Sequence, residues 1–285
     1  MRTNYLPLLL AVLVLGAAGA AQAPAFDVAS VRPNTSGGNT SFRAMPNGQF
    51  TATNTALRTL ILRANGLHDA QLIDAPDWTA EERFDIVARA EQAPAGGPDA
   101  LMPMLRTLLE GRFQLKTRME TRVLPAYVLV HARGDRRLGE RIRPTQADCT
   151  KARVMTREEL LATAKDAWPP CGQSITISFV TTSSDGTVGS SIRVRRSAVT
   201  MKDFATMLHG SVDRPVVDRT GLEGLFDVEY TFARQPPTAP TQLAAGANVP
   251  PIFVALEEQL GLELESERTE VPVLVIESVE RPTEN

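Results

Sequence analysis

The chain is poor in the residues on which many binding and catalytic sites depend. Aromatic side chains make up only 5% of its 285 residues, which leaves few stacking platforms for sugars or nucleic-acid bases. The net charge is −3, so attraction of the molecule as a whole to nucleic acid or to an anionic membrane is not expected. Both scarcities argue against nucleic acid as a partner.

Sequence motifs of known chemistry are also missing. No histidine has a second histidine three or four residues away, and the chain contains no HExxH motif, P-loop or GxGxxG fingerprint. Gly189-Ser190-Ser191 lacks the spacing of a nucleophile elbow. We therefore predict no catalytic residue, no cofactor and no metal site. His68 and His209 each follow a predicted helix, where an imidazolium cation suits the helix dipole, and His131 lies near the end of a predicted strand.

The chain has only two cysteines, Cys149 and Cys171. In an oxidising compartment, an even pair most simply forms one disulfide. This bond would close a loop of about 22 residues and contribute on the order of 3 kcal/mol in the chain-entropy model. The alternative, a reactive thiol, is supported by neither a CxxC motif nor a nearby histidine.

Long apolar runs are scarce as well, and the one at the N-terminus, Leu6 to Leu15, is too short to span a membrane as a mature helix. Arg2 precedes it, and Ala18-Gly19-Ala20 follows with the small residues of a cleavage site. Residues 1–20 are therefore predicted to be a signal peptide. We expect the mature protein to be secreted or periplasmic and to have no membrane span. An uncleaved anchor is the alternative.

An internal repeat is present and predicts the architecture. Its anchors recur in the same order in residues 48–133 and 189–280. Three pairs of segments carry the repeat: Phe84-Asp85-Ile86-Val87 with Phe226-Asp227-Val228-Glu229, residues 105–111 with residues 256–261, and residues 124–130 with residues 271–276. We predict two tandem units, residues 24–133 and 191–285.

Each unit is predicted to have the order β-α-β-β-α-β-β. Apolar residues at helical spacing predict a helix over 56–65 that ends at Gly66 and a second helix that ends at Gly111. In the second unit, Thr200 and Asp203 have the spacing of a capping box at the start of a helix. Two strands, 113–120 and 123–132, are expected to close the first unit as a hairpin. Helices with one apolar stripe need a sheet to cover it, so we predict an α+β fold with helices packed on mostly antiparallel sheets.

Residues 134–190 interrupt the repeat and are predicted to form an insertion between the two units. A connection of this length is too long for a bare loop in a compact domain. It contains both cysteines, a predicted short helix over 157–165 and a predicted strand over 175–180. We expect this disulfide-stapled segment to have little core of its own.

Arginine-rich segments are the clearest candidates for a binding surface. One cluster precedes the cysteines and consists of Arg133, Arg136, Arg137, Arg141 and Arg143. A second consists of Arg193, Arg195 and Arg196. One interpretation is a solvated turn and strand face, and the other is a patch for an anionic polymer or an acidic partner.

Asp85 and Asp227 recur at the same position of the repeat. Each follows a phenylalanine that points into the core, so each carboxylate is expected on the opposite face of its strand. The alternative interpretation is that the fold brings the two carboxylates together as a general acid and base.

Several segments resemble a secreted, soil-associated family of unknown function that is expanded in Acidobacteria. The resemblance rests on Phe26 to Asn34, Arg214 to Asp227, Val273 to Ile276 and Glu280 to Asn285. It covers essentially the whole mature chain and implies export and a stand-alone domain, which in some relatives is attached to a membrane sensor-type metallopeptidase. The family supplies no catalytic residues. Thr200 to Leu208 followed by Arg214 to Tyr230 is also similar to the short N-terminal interaction domains of secretins and TonB-dependent receptors.

Taken together, these patterns favour an exported, non-enzymatic protein that binds an unknown extracytoplasmic protein or polymer. One alternative is an extracytoplasmic hydrolase of envelope or environmental polymers that uses paired carboxylates. Another is the input module of a membrane signalling system.

Overall fold

The computed structural model describes residues 23–45, 47–92, 97–151, 155, 157–162, 167–182, 188–233 and 249–282. The predicted signal peptide lies outside the described residues. Within the described residues, twelve strands form three four-stranded sheets, with short helices packed beside them. The α+β class, the predominantly antiparallel pairing and the disulfide are confirmed.

The strands and helices are numbered in chain order. The strands are β1 (Val28–Pro33), β2 (Ser41–Ala44), β3 (Gln49–Ala56), β4 (Leu72–Ile73), β5 (Arg83–Arg89), β6 (Lys116–His131), β7 (Ile142–Pro144), β8 (Ser174–Thr182), β9 (Val188–Val199), β10 (Val216–Asp218), β11 (Phe226–Ala233) and β12 (Leu262–Ser278). The helices are α1 (Leu57–Asn65), α2 (Trp78–Glu81), α3 (Met102–Arg112), α4 (Arg157–Ala162), α5 (Met201–Leu208) and α6 (Ile252–Ala255), which continues into a π-helical turn over Leu256–Leu260.

The internal repeat of the sequence is also present in the strand order of the sheets. The first sheet has the order β1-β5-β3-β2, and the third has the order β7-β11-β9-β8, so each strand of the first sheet has a counterpart six strands later. The central sheet, β10-β6-β12-β4, takes two strands from each half of the chain. The protein therefore consists of two copies of one six-strand unit that share a central sheet.

The two units exchange strands across the central sheet. Here β6 and β12 are antiparallel from the pair Leu262 and His131 to the pair Ser278 and Lys116, and β4 and β10 add to them in parallel. The predicted hairpin at residues 113–132 is therefore wrong, because β6 is a single strand. Thr121-Arg122 offers no residue that favours positive φ, and the partner strand comes from the other unit instead.

Each unit has its own hydrophobic core. The first core joins the inner face of the first sheet to α1 and α3, and the second joins the third sheet to α5 and α6. Gly66 ends α1 in the left-handed conformation, with φ of 62°, as predicted. Gly111 does not end its helix, because α3 continues to Arg112.

The disulfide segment lies between β7 and β8 of the third sheet. The equivalent strands β1 and β7 contain Val31-Arg32-Pro33 and Ile142-Arg143-Pro144. The link from β1 to β2 covers residues 34–40, whereas the link from β7 to β8 covers residues 145–173 and contains the disulfide, with 5.5 Å between the two Cα atoms. The division of the chain into domains at residues 133 and 190 remains a prediction.

Gly139 marks a close backbone approach that a side chain would disrupt. Its N–H donates to the Leu260 carbonyl at 2.8 Å, and a Cβ atom would lie 2.6 Å from the carbonyl carbon of Gln259. Because this neighbour is backbone, Gly139→Ala should lower the free energy of unfolding by about 1–2 kcal/mol in urea titration. The matched control is Gly134→Ala, since a Cβ there meets no atom within 4 Å. Equal stability of the two variants would contradict the prediction.

Candidate functional site

A cluster of charged side chains occupies the outer face of the third sheet. At its centre, Glu229 of β11 accepts hydrogen bonds from Arg141 at 2.7 Å and from Arg195 at 2.6 Å. Arg193 forms a third ion pair with the same carboxylate at 3.0 Å. These four residues are called the Glu229 cluster below.

Strand register brings the cluster together. Glu229 lies opposite Arg195 of β9, and its backbone N–H bonds to the carbonyl of Arg141, which directly precedes β7. Val228 and Tyr230, on either side of Glu229, point into the second core. Alternation along β11 therefore directs Glu229 to the outer face.

The electrostatics of the cluster favour a charged carboxylate. Burial by itself would raise the pKa of Glu229, but the hydrogen bond from Arg195 and the charges of Arg195, Arg193 and Arg141 hold it below its usual value. The Glu229 side chain is only 10% exposed, whereas Arg141 and Arg193 are 46% and 37% exposed. The positive groups therefore face solvent around a fixed negative centre.

Trp168 of the disulfide segment covers one side of this cluster. The Arg143 guanidinium lies 4.7 Å from the centre of the Trp168 ring, and that of Arg195 lies 5.5 Å from it. Arg195 also donates to the carbonyl of Ala167 at 2.8 Å. Sequence reasoning missed Trp168, and the only available signal was that the chain has just two tryptophans, one of them between the cysteines.

The five arginines predicted as one patch separate into two groups. Arg141 joins the Glu229 cluster, and Arg143 pairs with Asp227 at 3.6 Å beside it. Arg133, Arg136 and Arg137 lie in the turn between β6 and β7. Arg136 donates to the carbonyl of Thr220 at 2.9 Å, and Arg133 and Arg137 are exposed. The second predicted cluster contributes Arg193 and Arg195 to the site. Binding of an anionic partner by any of these residues remains a prediction.

Asp85 and Asp227 each fasten a β-bulge within their own sheet. Asp85 accepts from the Asn34 side chain at 2.9 Å and from the backbone N–H of Asn54 at 2.8 Å. In the second unit, Asp227 accepts from the Thr145 hydroxyl at 2.8 Å and from the N–H of Ala198 at 3.1 Å.

Both bulge residues, Asn54 and Ala198, have positive φ. The recurrence of Phe-Asp thus has a structural cause, because each carboxylate satisfies a backbone donor that the bulge removes from the ladder.

His68 and His209 meet where the two units touch. Their rings are 5.9 Å apart and nearly perpendicular, and Nδ1 of His68 accepts from the N–H of Ala70 at 3.2 Å. Burial lowers the pKa of His209 to about 4, so this side chain is neutral at pH 7. The expected cationic role of His209 at the end of α5 is therefore wrong. His131 lies at the end of β6, and its Nδ1 is buried without a partner among the described residues.

No metal centre is evident in the part of the chain that the structure describes. It contains no group of three or more His, Cys, Asp or Glu side chains arranged to hold an ion. Within the same residues, every helix is too short or too polar to cross a membrane.

Comparison with known proteins identifies a family. A family model described as a protein of unknown function (DUF3738) matches residues 58–279. Because this match covers well over half of the chain, the protein belongs to the DUF3738 family, and the expected membership of a family of unknown function is confirmed. No curated protein and no solved structure is significantly similar to the chain.

Proposed function

We propose that the protein is an exported, non-enzymatic binding protein that holds an anionic partner on the outer face of its third sheet. The observation that carries the proposal is the Glu229 cluster, in which three guanidinium groups share one buried carboxylate. Glu229 balances only one of these positive charges. The remaining charge is fixed in position on a sheet and is partly exposed to solvent.

The fold itself does not require these charges. In the first unit, the strand register places Val87 where the second unit has Glu229, and Thr51 where it has Arg195. Ser30 pairs with Val87 at the position that corresponds to Arg141. Because the same architecture is built there without a charged cluster, the cluster in the second unit supports a role beyond folding.

Guanidinium chemistry indicates the class of partner. A planar guanidinium presents a rigid fork of donors that matches carboxylate, sulfate or phosphate oxygens. Glu229 and Trp168 hold several such forks in place before a partner arrives, which lowers the entropy cost of binding. An acidic polymer or an acidic protein surface outside the cytoplasm suits this arrangement.

Export is supported by two features of the chain. Structural disulfides persist in oxidising compartments, and the bond between Cys149 and Cys171 closes the segment that carries Trp168. The N-terminal sequence also has the charge, apolar stretch and small residues of a signal peptide.

The structure favours binding over the hydrolase alternative. That alternative uses carboxylates such as Asp85 or Asp227, and each of these two accepts hydrogen bonds within a separate sheet. A sensor input role would use the same binding surface and would differ only in a downstream partner.

The test compares two triple variants that remove equal charge. Arg141→Gln/Arg143→Gln/Arg193→Gln changes the proposed site but leaves Arg195 on Glu229. Arg32→Gln/Arg83→Gln/Arg89→Gln changes exposed arginines of the first sheet. Affinity for polygalacturonate and for polyphosphate is measured by calorimetry at 50 and 200 mM NaCl.

We expect the site variant to bind at least about 10-fold more weakly at 50 mM NaCl and with a shallower salt dependence, because fewer counterions are released. The control variant should bind like the unmodified protein. Equal loss in both variants, or no binding by the unmodified protein, would contradict the proposal.

A further inference from the structure

One sheet edge differs from all the others. Each of the three sheets has two edge strands, and five of the six are short or interrupted by charge or proline. β4 and β10 have two and three residues, and β2 has four residues including Arg43. β1 and β7 each end in Arg-Pro. Natural proteins protect edges in these ways against pairing with other strands.

β8 has none of these protections. It runs for nine residues, Ser-Ile-Thr-Ile-Ser-Phe-Val-Thr-Thr, with no charge, proline or glycine. It pairs with β9 on one side, and no strand among the described residues pairs with its other side. Ile177 is 42% exposed and Val180 is 70% exposed. Its counterpart in the first unit, β2, is less than half as long.

We propose that two copies of the chain associate by antiparallel pairing of β8 with β8, which joins their third sheets into one eight-stranded sheet. Pairing about Ser178 places Ile177 of one copy opposite Phe179 of its partner. The register with β9 puts Ile175, Ile177 and Phe179 on the same face of the sheet. The contact therefore forms one apolar row across both copies.

The chemistry of β8 favours a second copy over other occupants. A strand without charge meets no like charge when it faces itself, and a two-fold axis makes the contact self-complementary. Antiparallel pairing also satisfies the free backbone donors and acceptors of both edges at once. Every copy brings a matching strand of the same length.

The first test uses charge at the proposed contact. Thr176 and Ser178 are exposed on β8, and Thr117 and Thr121 are exposed on β6 of the central sheet. The unmodified protein should have twice the mass of one chain by light scattering at 100 µM. Thr176→Lys/Ser178→Lys and Thr176→Glu/Ser178→Glu should each have the mass of one chain, since like charges then face each other at position 178 and lie on the diagonal between position 178 and position 176 of the partner.

An equimolar mixture of the Lys and Glu variants should return to twice the mass, because opposite charges then meet. The control Thr117→Lys/Thr121→Lys should keep the mass of the unmodified protein. A single-chain mass for the unmodified protein at 100 µM, or double mass for both charged variants alone, would overturn the proposal and leave the edge to a strand of another protein.

A cysteine introduced at the proposed contact provides a second test, which detects the dimer directly instead of disrupting it. The chain has two cysteines, and both are in the disulfide. Ser178→Cys should form a covalent dimer under mild oxidation, because residues on a two-fold axis between paired strands lie directly opposite each other. Thr121→Cys is the control. Equal cross-linking of the two variants would overturn the proposed register.

Discussion

Glu229→Gln should lower the free energy of unfolding by about 3–5 kcal/mol at pH 7, because it leaves several arginines around an uncharged, buried group. The largest part of the loss comes from Arg195, since its side chain is as buried as that of Glu229 and donates a hydrogen bond to it at 2.6 Å. The mutual repulsion of the guanidinium groups of Arg141, Arg193 and Arg195 is then no longer offset by a carboxylate. Urea titration followed by circular dichroism measures the loss.

The same substitution should change the response to acid. The pKa of Glu229 is lowered in the folded protein, so its contribution is fully present above its unfolded value and is lost as pH falls through the folded value. Glu229→Gln should therefore lose less stability than the unmodified protein below about pH 4.5. Glu265→Gln, on an exposed position of β12, is the matched control and should change stability by less than about 0.5 kcal/mol. A Glu229→Gln protein as stable as this control would show that the cluster does not act as described.

Local patterns in the chain were sufficient for individual elements. The apolar spacing of Leu57, Leu60 and Ile61 predicted α1, and Thr200 does cap α5 by accepting from the N–H of Asp203. Helix periodicity and caps involve residues within one or two turns of each other. For this reason they can be interpreted from a single sequence.

The pairing of strands could not be predicted from local sequence patterns in the same way. Alternation along residues 116–131 indicates which side chains share a face, but it carries no information on which strand lies alongside. The partner of Tyr127 in β6 is Ser266, from the other unit. The match between Val31-Arg32-Pro33 and Ile142-Arg143-Pro144 was too short to be recognised before the sheets were known.

The candidate site shows the same limit. Arg141 and Arg193 were identified as members of basic clusters, but nothing near them in sequence points to Glu229 as their shared partner. Residues 141 and 229 meet because β7 and β11 are neighbours in the third sheet. The orientation of Asp85 could be predicted from alternation, whereas its bond to the N–H of Asn54 depends on a bulge in another strand.

The two units have the same framework and different surfaces. A duplicated framework supplies two outer sheet faces and two sets of edges, and these can carry different side chains on the same backbone arrangement. In this chain, the second copy has the long β7 to β8 link, the Glu229 cluster and the unprotected edge of β8. Features that the framework itself needs, such as the bulge carboxylates Asp85 and Asp227, occur in both copies.

The contact between His68 and His209 should make the free energy of unfolding depend on pH in the mildly acidic range. Both pKa values are lowered, chiefly by burial, even though Asp69 and Asp213 oppose the shift at His68. Nε2 of His209 lies 3.4 Å from the carbonyl of Val216. Protonation would place a charge in this buried position beside a second histidine.

Stability should therefore fall as pH decreases from 6.5 towards 4. The unfolded chain binds a proton near pH 6.5, whereas folded His209 binds one only near pH 4, so the unfolded state takes up more protons in this window. The contribution of His209 is fully present above pH 6.5, and its loss by pH 4 amounts to about 2–3 kcal/mol after an allowance for partial exposure.

Urea titrations at pH 7.0, 5.5 and 4.5 provide the test. His209→Gln keeps a polar side chain that does not titrate, so most of the decline between pH 7.0 and 4.5 should disappear. His68→Gln should remove a smaller part, because nearby Asp69 and Asp213 partly counter the burial of His68. A decline of the same size in His209→Gln and in the unmodified protein would assign the acid sensitivity to other groups. Because His68 belongs to the first unit and His209 to the second, the expected result would place the acid-sensitive group at the contact between the two units.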